Sequence, residues 1–412
     1  MSPELPVVNF ASPASAGTEE KLLKYYWPAG LMICLLFSLF LFVARPLPSG
    51  HHYELALKLS LELLVIWLIY YLRPEFLNHK SILALILLAG LALGFYQLTR
   101  PRPDPEITRT YESVFKDLEE GRNPYLNGRI YHRNGEGQTV YQNFNYPPLE
   151  LYPYWLFYRL FHVWDLQSLS LFLMFIQLLA AIILVLTFRG SGHRYLLAFL
   201  PLLVFSEITT NPAMNMLLVS IFMALLYRQK RKPSTVNILL LAIVIGLGLS
   251  AKFFFIPLAA TYYFWQLKLR DFKSWLQVGG QALLSLAVSW LLMLPFGPLN
   301  VINSTIFYNL NLSQRNTYTT FYPNILSSFF YLIGRPEFYG PAAVLILLLV
   351  ILFSPKLSLY TAFLLSGMTF LLIAPTPEPQ YFGTLLLLGL ASKIIKISTQ
   401  PAAAAMVRGE AP

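Results

Sequence analysis

The sequence predicts an all-α polytopic integral membrane protein, and two observations carry this prediction. First, 56% of the 412 residues are hydrophobic and only 12% are charged, which is more apolar surface than one soluble core can hide. Second, the apolar residues form runs long enough to cross a hydrocarbon core of roughly 30 Å as helices, without the alternation of a membrane β-barrel. Because a backbone in lipid must satisfy its own hydrogen bonds, a helical bundle is the remaining solution.

The apolar runs predict about twelve membrane-spanning helices. They form one transmembrane domain, 26–397, between a disordered cytoplasmic tail at 1–25 and a second cytoplasmic tail at 398–412. Segment 325–333 is interpreted as a short outer or re-entrant helix, because counting it as a span would place Lys393 and Lys396 outside. The spans are expected near residues 26–44, 53–72, 81–98, 166–188, 195–208, 212–227, 236–251, 253–267, 275–295, 341–354, 357–374 and 381–397.

The connections between spans indicate which side of the membrane each one faces. Lys and Arg cluster in alternate connections, such as 228–232 and 268–273, and such loops face the cytoplasm. The net charge of +10 is therefore an orientation signal, and no nucleic-acid partner is expected. The remaining connections, among them 99–165, the Ala251–Lys252 junction and 296–340, are expected on the outer face.

The first outer loop, 99–165, is the most polar part of the chain, since it holds nine of the twenty acidic residues. Asp104 directly follows the third predicted span, and its two flanking prolines hold it in a stiff turn. A carboxylate near a low-dielectric boundary can have a raised pKa, which suits a general base. The alternative is that Asp104 caps a helix beginning near Glu106. Later in this loop, interleaved Tyr, Trp and Arg predict an interfacial amphipathic helix at 148–161.

Other polar side chains interrupt or flank the apolar runs. Lys252 lies between two spans, where a cation is costly unless it has a counter-anion or reaches water. It either binds a phosphate or extends to the outer headgroups. Asn211 and Asn215 open a span four residues apart and could both face an outer cavity, although capping by Asn211 is the alternative. Arg102 and Arg109 either contact a ligand or pair with local Glu residues.

The order of these features resembles a known family of enzymes. Asp104 is followed seventeen residues later by Gly-Arg-Asn-Pro-Tyr at 121–125, and then by Tyr-Pro-Pro at 146–148. This pattern is similar to the first outer loop of the polyprenyl-phosphate-dependent GT-C glycosyltransferases. It is most similar to the mannosyltransferase-like members of glycosyltransferase family 87.

Three later segments add to this resemblance and also depart from it. The family's Gly-Gln-x-x-Asn region is matched by Asn211 and Asn215, but Asn-Pro replaces Gly-Gln. Residues 246–257 resemble its Gly-rich helix that ends in a lysine, here Lys252. Residues 375–381 resemble its last outer loop, but Gln380 stands where the family usually has His.

The resemblance implies a fold, a reaction and a set of site residues. The fold is a GT-C-like bundle whose long first outer loop contains interfacial helices, in the bacterial inner membrane with the active site on the periplasmic face. An acceptor hydroxyl attacks a sugar on a polyprenyl phosphate, with inversion. From the residues themselves no cofactor or metal is expected, since the sequence holds no His-Glu metal helix and the two carboxylates at 104 and 106 are expected to lie apart in a loop. The implied partners are that donor, a lipid or glycan acceptor, and membrane lipids.

The implied roles fall on residues from five segments of the chain. Asp104 is the general base, with Glu106 in reserve. Lys252, Arg102, Arg109 and Arg315 bind the donor phosphate. The sugar and acceptor contacts are Tyr125, Asn145, Tyr146, Asn211, Asn215, Glu378, Gln380 and Tyr381.

Two other classes of function fit part of the sequence. A transporter or flippase for a lipid-linked or anionic substrate accounts for the spans and for Lys252, but it needs no long outer loop dense in carboxylates and tyrosines. A membrane acyl- or phosphotransferase usually requires a His or metal cluster, and the six histidines form none in the sequence.

Overall fold

A computed structural model describes the central part of the chain. Four of the predicted spans, 26–44, 53–72, 81–98 and 195–208, lie outside the described residues, as do both predicted tails and most of 381–397. The described residues are 106–133, 139–188, 212–267, 271–310, 326, 329–330, 333–373, 384–385, 387–388 and 391.

The described part of the chain is mostly helical. Its α-helices are α1 (Glu106–Glu119), α2 (Pro148–Phe161), α3 (Leu166–Thr187), α4 (Pro212–Arg231), α5 (Thr235–Leu249), α6 (Phe255–Gln266), α7 (Phe272–Met293), α8 (Pro298–Ile302), α9 (Tyr308–Leu310), α10 (Tyr339–Phe353) and α11 (Leu359–Ile373). Short 3-10 turns occupy Leu294–Phe296, Pro336–Phe338 and Ser354–Lys356, and a π-helical turn, Asn303–Phe307, joins α8 to α9.

The predicted helices within the described residues are confirmed. Seven predicted spans coincide, to within a few residues, with α3 to α7, α10 and α11, and the predicted interfacial helix 148–161 has the bounds of α2. The all-α prediction is wrong at one place, since Ile130–Arg133 (β1) and Thr139–Gln142 (β2) form an antiparallel hairpin. Each strand has only four residues, too few for a period-two pattern to stand out in a polar loop.

Two helical segments of the described chain are long and apolar enough to cross a membrane, Phe272–Phe296 and Pro336–Lys356. In the first of these segments the buried face carries polar residues and the exposed face carries apolar ones, the opposite of a surface helix in a soluble protein. Its buried residues include Ser285 and Ser289, whereas Leu283 and Leu291 are exposed. Small polar residues at helix contacts and leucines outside suit a lipid environment.

Two hydrophobic clusters organise the described chain. The bundle cluster is made by α3 to α6, α11 and the residues around Leu385, and most of its members are aliphatic. The loop cluster is made by α1, β1, α2, the connections between them, the starts of α3 and α4, and the chain that follows α7. The buried members of the loop cluster are Tyr111, Val114, Phe115, Tyr125, Ile130, Phe144, Leu151, Tyr154, Leu169, Leu173, Ile176, Ala213, Phe296 and Val301.

Two glycines near the end of α5 allow the close packing that fixes the α5–α6 junction. A Cβ on Gly246 would lie 2.5 Å from the carbonyl oxygen of Ser285 in α7. A Cβ on Gly248 would lie 2.1 Å from the ring of Phe255, at the start of α6. Any larger residue at either position would overlap its neighbour, so these glycines set where the junction lies.

Candidate functional site

The candidate site is built on the turn between α5 and α6. The Lys252 amide donates to the carbonyl oxygen of Gly248 at 3.0 Å, which ends α5 in a tight turn. The Ser250 hydroxyl lies 2.8 Å from that of Ser289 in α7. The Leu149 amide donates to the carbonyl oxygen of Ser250 at 2.8 Å. This last bond joins the start of α2 to the α5–α6 turn, although the two segments are about a hundred residues apart in sequence.

A buried ion pair forms at this contact. The Lys252 Nζ lies 2.9 Å from Glu150 Oε1, and the two side chains are only 7% and 1% exposed. Glu150 is in the first turn of α2, where the helix dipole favours a carboxylate. The lysine thus has the counter-anion that its place between two apolar runs requires, and its side chain is buried against α2.

An aromatic ring covers the lysine as well. The Lys252 Nζ lies 5.0 Å from the centroid of the Tyr146 ring, within cation–π range. The Tyr125 hydroxyl donates to the carbonyl oxygen of Tyr146 at 2.8 Å. Three residues that the sequence assigned to phosphate and sugar, Tyr125, Tyr146 and Lys252, are therefore brought together.

The surrounding tyrosines are held in their protonated form. Burial raises the pKa of the Tyr111 hydroxyl well above its ordinary value, and the charge of Glu150 raises it further. Burial likewise raises the pKa of Tyr154, with a further rise from Glu150 and a partly opposing effect of Lys252. These phenols can donate or accept hydrogen bonds, but they cannot act as bases near neutral pH.

The chain that follows α7 packs on the same loop. The Asn123 side-chain amide donates to the carbonyl oxygen of Phe296 at 2.7 Å, and the Ser304 hydroxyl donates to that of Tyr125 at 2.9 Å. The Tyr308 hydroxyl donates to the side-chain oxygen of Gln142 at 2.6 Å. Parts of three connections that the sequence assigned to one face, 99–165, the Ala251–Lys252 junction and 296–340, are therefore in direct contact.

Three other predicted site residues are described. Arg109 is exposed on α1, and within the described ranges it forms no salt bridge. Asn145 is partly buried, and its Oδ1 has no hydrogen-bond partner among the described residues. Asn215 is fully buried, and its side-chain amide donates to the Thr384 hydroxyl at 3.1 Å. In this structure Asn215 joins α4 to the chain near residue 384.

The remaining predicted residues are not covered by the description. Glu106 is the first residue of α1, and its side chain is outside the described part. The predicted residues that lie wholly outside it are Arg102, Asp104, Asn211, Arg315, Glu378, Gln380 and Tyr381.

Comparison with known protein families and with curated proteins gives no match to this chain. The likeness to the GT-C glycosyltransferases therefore rests on the motifs of the sequence.

Glu150 is the residue of this site that sequence reasoning missed. It is one of the nine acidic residues of the first outer loop, and neither its spacing nor the family resemblance gives it a role. Two signals pointed to it. It is the sole carboxylate in the segment 148–161, whose other residues are aromatic or aliphatic apart from Arg159, and the buried lysine at 252 requires a counter-anion. The sequence alone does not show that the start of α2 contacts the α5–α6 turn, because the two segments are far apart along the chain.

Proposed function

We propose that the protein is a membrane glycosyltransferase that moves a sugar from a polyprenyl phosphate to a hydroxyl of a lipid or glycan acceptor. The observation that carries this proposal is the tyrosine-lined Lys252, placed where the first loop, the α5–α6 junction and the chain after α7 meet. A cation suits the phosphate of the donor, and aromatic rings suit the faces of a sugar. Asn145 adds a buried amide oxygen that can accept from a sugar hydroxyl.

The proposal includes a GT-C-like bundle of about twelve spans in the bacterial inner membrane, with cytoplasmic termini and a periplasmic site. The reversed polarity of α7 supports a lipid environment. The exposed face of α2 supports an interfacial position, because Leu156, Leu160 and Phe161 are each about 60% exposed while Leu151 is buried. This apolar face would border a groove for the polyprenyl chain.

The proposed chemistry is an inverting displacement at the anomeric carbon. The acceptor oxygen attacks that carbon as its proton passes to Asp104, and the bond from the carbon to the phosphate oxygen breaks. Polyprenyl phosphate leaves with the bonding electron pair, and Lys252 offsets the charge that develops on it. Arg102, Arg109 and Arg315 are proposed as further phosphate contacts. Sugar and acceptor contacts are proposed for Tyr125, Asn145, Tyr146, Asn211, Asn215, Glu378, Gln380 and Tyr381.

The packing of α1 supports this assignment of the base. Asp104 lies two residues before the start of α1 in the sequence, and α1 is held against α2 by stacked rings, such as Phe115 on Tyr158 at 4.9 Å. The Trp164 indole also donates to the carbonyl oxygen of Thr108 at 2.8 Å. The start of α1 is therefore tied to the segment that follows α2, and the second half of α1 is packed on α2 itself.

The test is a transfer assay in membranes that contain the full-length protein and are supplied with polyprenyl-phosphate sugars. Asp104→Asn should lower glycoside formation by at least about 100-fold, because a general base contributes that much. Glu106→Gln tests the reserve position. The matched control is Glu112→Gln, which removes an exposed carboxylate of α1 that pairs with Lys116 and should leave activity unchanged. Full activity in both Asp104→Asn and Glu106→Gln would contradict the assignment of the base.

A further inference from the structure

A basic turn, residues 228–234, joins α4 to α5, and the length of α5 separates it from the turn that carries Lys252. Four residues of the basic turn are Lys or Arg, and the sequence has no Asp or Glu from 208 to 270. Among the described residues, Arg228, Arg231 and Lys232 form no salt bridge. The described part of the chain therefore leaves these three cations without a neutralising carboxylate.

Two buried amides fix the backbone of the basic turn. The Gln229 side-chain oxygen accepts from the Ser234 amide at 3.0 Å, and the Asn237 side-chain amide donates to the carbonyl oxygen of Lys232 at 3.1 Å. Both amide side chains are buried. The Ser234 hydroxyl accepts from the Asn237 backbone amide at 3.1 Å and so caps α5. The cations are consequently attached to a backbone with a defined shape.

Arg231 is held at one side of this turn by an aromatic ring. Its Cζ lies 5.5 Å from the centroid of the Tyr227 ring, and its Nη1 donates to the Tyr227 hydroxyl at 3.3 Å. The Tyr227 ring is itself packed on Phe188, with 4.9 Å between centroids. That bond uses one of the five N–H donors of the guanidinium, whose planar shape matches the oxygens of a phosphate. A preformed contact for an anionic phosphate group is therefore present.

Exposed apolar side chains lie directly beyond the basic turn. Val236, in the first turn of α5, is 63% exposed, and Leu239 and Leu240 are exposed one helical turn further along. A cluster of cations followed by apolar side chains matches a phospholipid, in which a charged headgroup is followed by acyl chains. A nucleic acid or an acidic peptide would leave these three side chains without an apolar partner. The combination of charge and apolar surface favours a lipid.

We propose that the basic turn binds the headgroup of an anionic phospholipid, with Arg231 contacting the phosphate and the exposed side chains of α5 contacting an acyl chain. The inference uses the membrane position given under the proposed function, but it uses no step of sugar transfer. It assigns a lipid-binding surface to the end of the bundle that is predicted to face the cytoplasm, away from the candidate site. Because such a lipid binds the folded protein, it should also raise the unfolding temperature.

The experiment compares two phospholipids that share their acyl chains and differ in charge. Purified full-length protein in detergent is titrated with anionic dioleoyl phosphatidylglycerol and with zwitterionic dioleoyl phosphatidylcholine, and native mass spectrometry gives both affinities. The natural protein should bind phosphatidylglycerol at least about tenfold more tightly, because each Lys or Arg near a lipid surface contributes about fivefold. Glycerol phosphate at the same concentration should not displace the lipid, because it has no acyl chains.

Two triple variants test whether this preference belongs to the basic turn. Changing Arg228, Arg231 and Lys232 to Gln should lower the ratio of the two affinities by at least about tenfold. The matched control removes the same charge from three exposed cations of the predicted outer loops and should leave the ratio unchanged. Its changes are Lys116→Gln, Arg129→Gln and Arg335→Gln.

A variant that conserves charge separates a built site from diffuse positive charge. Arg231→Lys keeps the net charge but removes the planar group that lies on Tyr227, so the ratio should fall severalfold. The side chain of Arg231 is exposed, so this change should leave folding intact. Thermal unfolding of every variant checks this point, and the preference of the natural protein is measured without any variant.

Several outcomes would overturn the inference. Equal affinity of the natural protein for the two lipids would contradict it, as would an equal loss in the two triple variants or an unchanged ratio in Arg231→Lys. Displacement by glycerol phosphate would identify a free phosphate as the ligand and exclude the lipid. Asp104→Asn should leave the ratio unchanged. A lipid preference that meets these expectations, without any glycoside in the transfer assay, would support the inference and contradict the proposed function.

Discussion

The loop cluster and the bundle cluster are built from different side chains, and the difference follows from what their backbones need. The loop cluster centres on rings that contact one another, such as Tyr111 with Tyr154 at 4.8 Å. The bundle cluster is largely aliphatic, although it includes ring contacts such as that of Phe222 with Phe363. Both exclude water, but the loop cluster includes more of the chain that lies between helices.

Helices satisfy their own backbone groups, whereas loops need outside partners. In the loop cluster, aromatic side chains supply these partners at their polar ends. The Tyr125 hydroxyl donates to the Tyr146 carbonyl oxygen, and the Tyr152 hydroxyl donates to that of Leu292 at 2.8 Å. A segment that is polar by composition can therefore hold a dry core, because Tyr and Trp combine a large apolar surface with one polar end.

The Glu150–Lys252 pair is where the two clusters meet. Leu149 packs against the bundle cluster, while Leu151 belongs to the loop cluster, so Glu150 lies between them in sequence and in space. Variants that break this contact, or that change one cluster at a time, measure how much each contributes to stability.

Breaking the ion pair should have the largest effect. Lys252→Met leaves the Glu150 carboxylate buried without its cation, which should cost about 3–5 kcal/mol of unfolding free energy. Thermal unfolding in detergent measures the change. The double variant Glu150→Leu, Lys252→Met restores an apolar contact and should recover most of the loss. Equal destabilisation in the single and double variants would show that the pair does not join the clusters.

The close packing in the bundle should give the next largest effect. Gly248→Ala places a Cβ in the space of the buried Phe255 ring and should cost about 1–3 kcal/mol. Gly279→Ala in α7 is the matched control, because a Cβ there meets no atom within 4 Å. It should stabilise the helix by about 0.5–1 kcal/mol. The two variants should shift the unfolding temperature in opposite directions, and similar shifts would contradict this packing.

Hydroxyl groups of the loop cluster should give a smaller effect. Tyr125→Phe removes the bond to the Tyr146 carbonyl oxygen and should cost about 1–2 kcal/mol. Tyr111→Phe removes a buried hydroxyl that has no partner among the described residues, so it should be neutral or slightly stabilising. Chemical unfolding followed by tryptophan fluorescence checks both variants. A larger loss of unfolding free energy in Tyr111→Phe than in Tyr125→Phe would contradict the conclusion that the Tyr125 hydroxyl makes the stabilising hydrogen bond.

The smallest effect is expected at the surface of the loop. Glu112 and Lys116 form an exposed pair one helical turn apart, with 2.9 Å between Lys116 Nζ and Glu112 Oε1. Glu112→Gln should change stability by less than about 0.5 kcal/mol, and high salt should remove even that. The same unfolding assay at low and high ionic strength measures it. A loss comparable with that in Tyr125→Phe would mean that surface charge, rather than the aromatic core, holds this loop.

The helices could be predicted because hydrophobic length and interleaved aromatics are local signals. The predicted helix 148–161 has the bounds of α2. The predicted spans 275–295 and 341–354 coincide, to within a few residues, with α7 and α10. The hairpin could not be predicted in the same way, because each of its strands has only four residues, and so short an alternation of apolar and polar residues does not stand out in a polar loop. Lys252 stood out as a cation without a local partner, but its partner, Glu150, became visible only through a contact between distant segments.

The most direct test of the proposed function is a reconstitution that separates transfer from transport. The full-length protein is placed in liposomes with a labelled polyprenyl-phosphate hexose and a lipid acceptor, and products are identified by mass spectrometry. We expect a new glycoside, formed with inversion and in amounts equal to the polyprenyl phosphate released, and Asp104→Asn should abolish it. Movement of the labelled donor across the bilayer with no new glycosidic bond would contradict the proposal and favour a transporter.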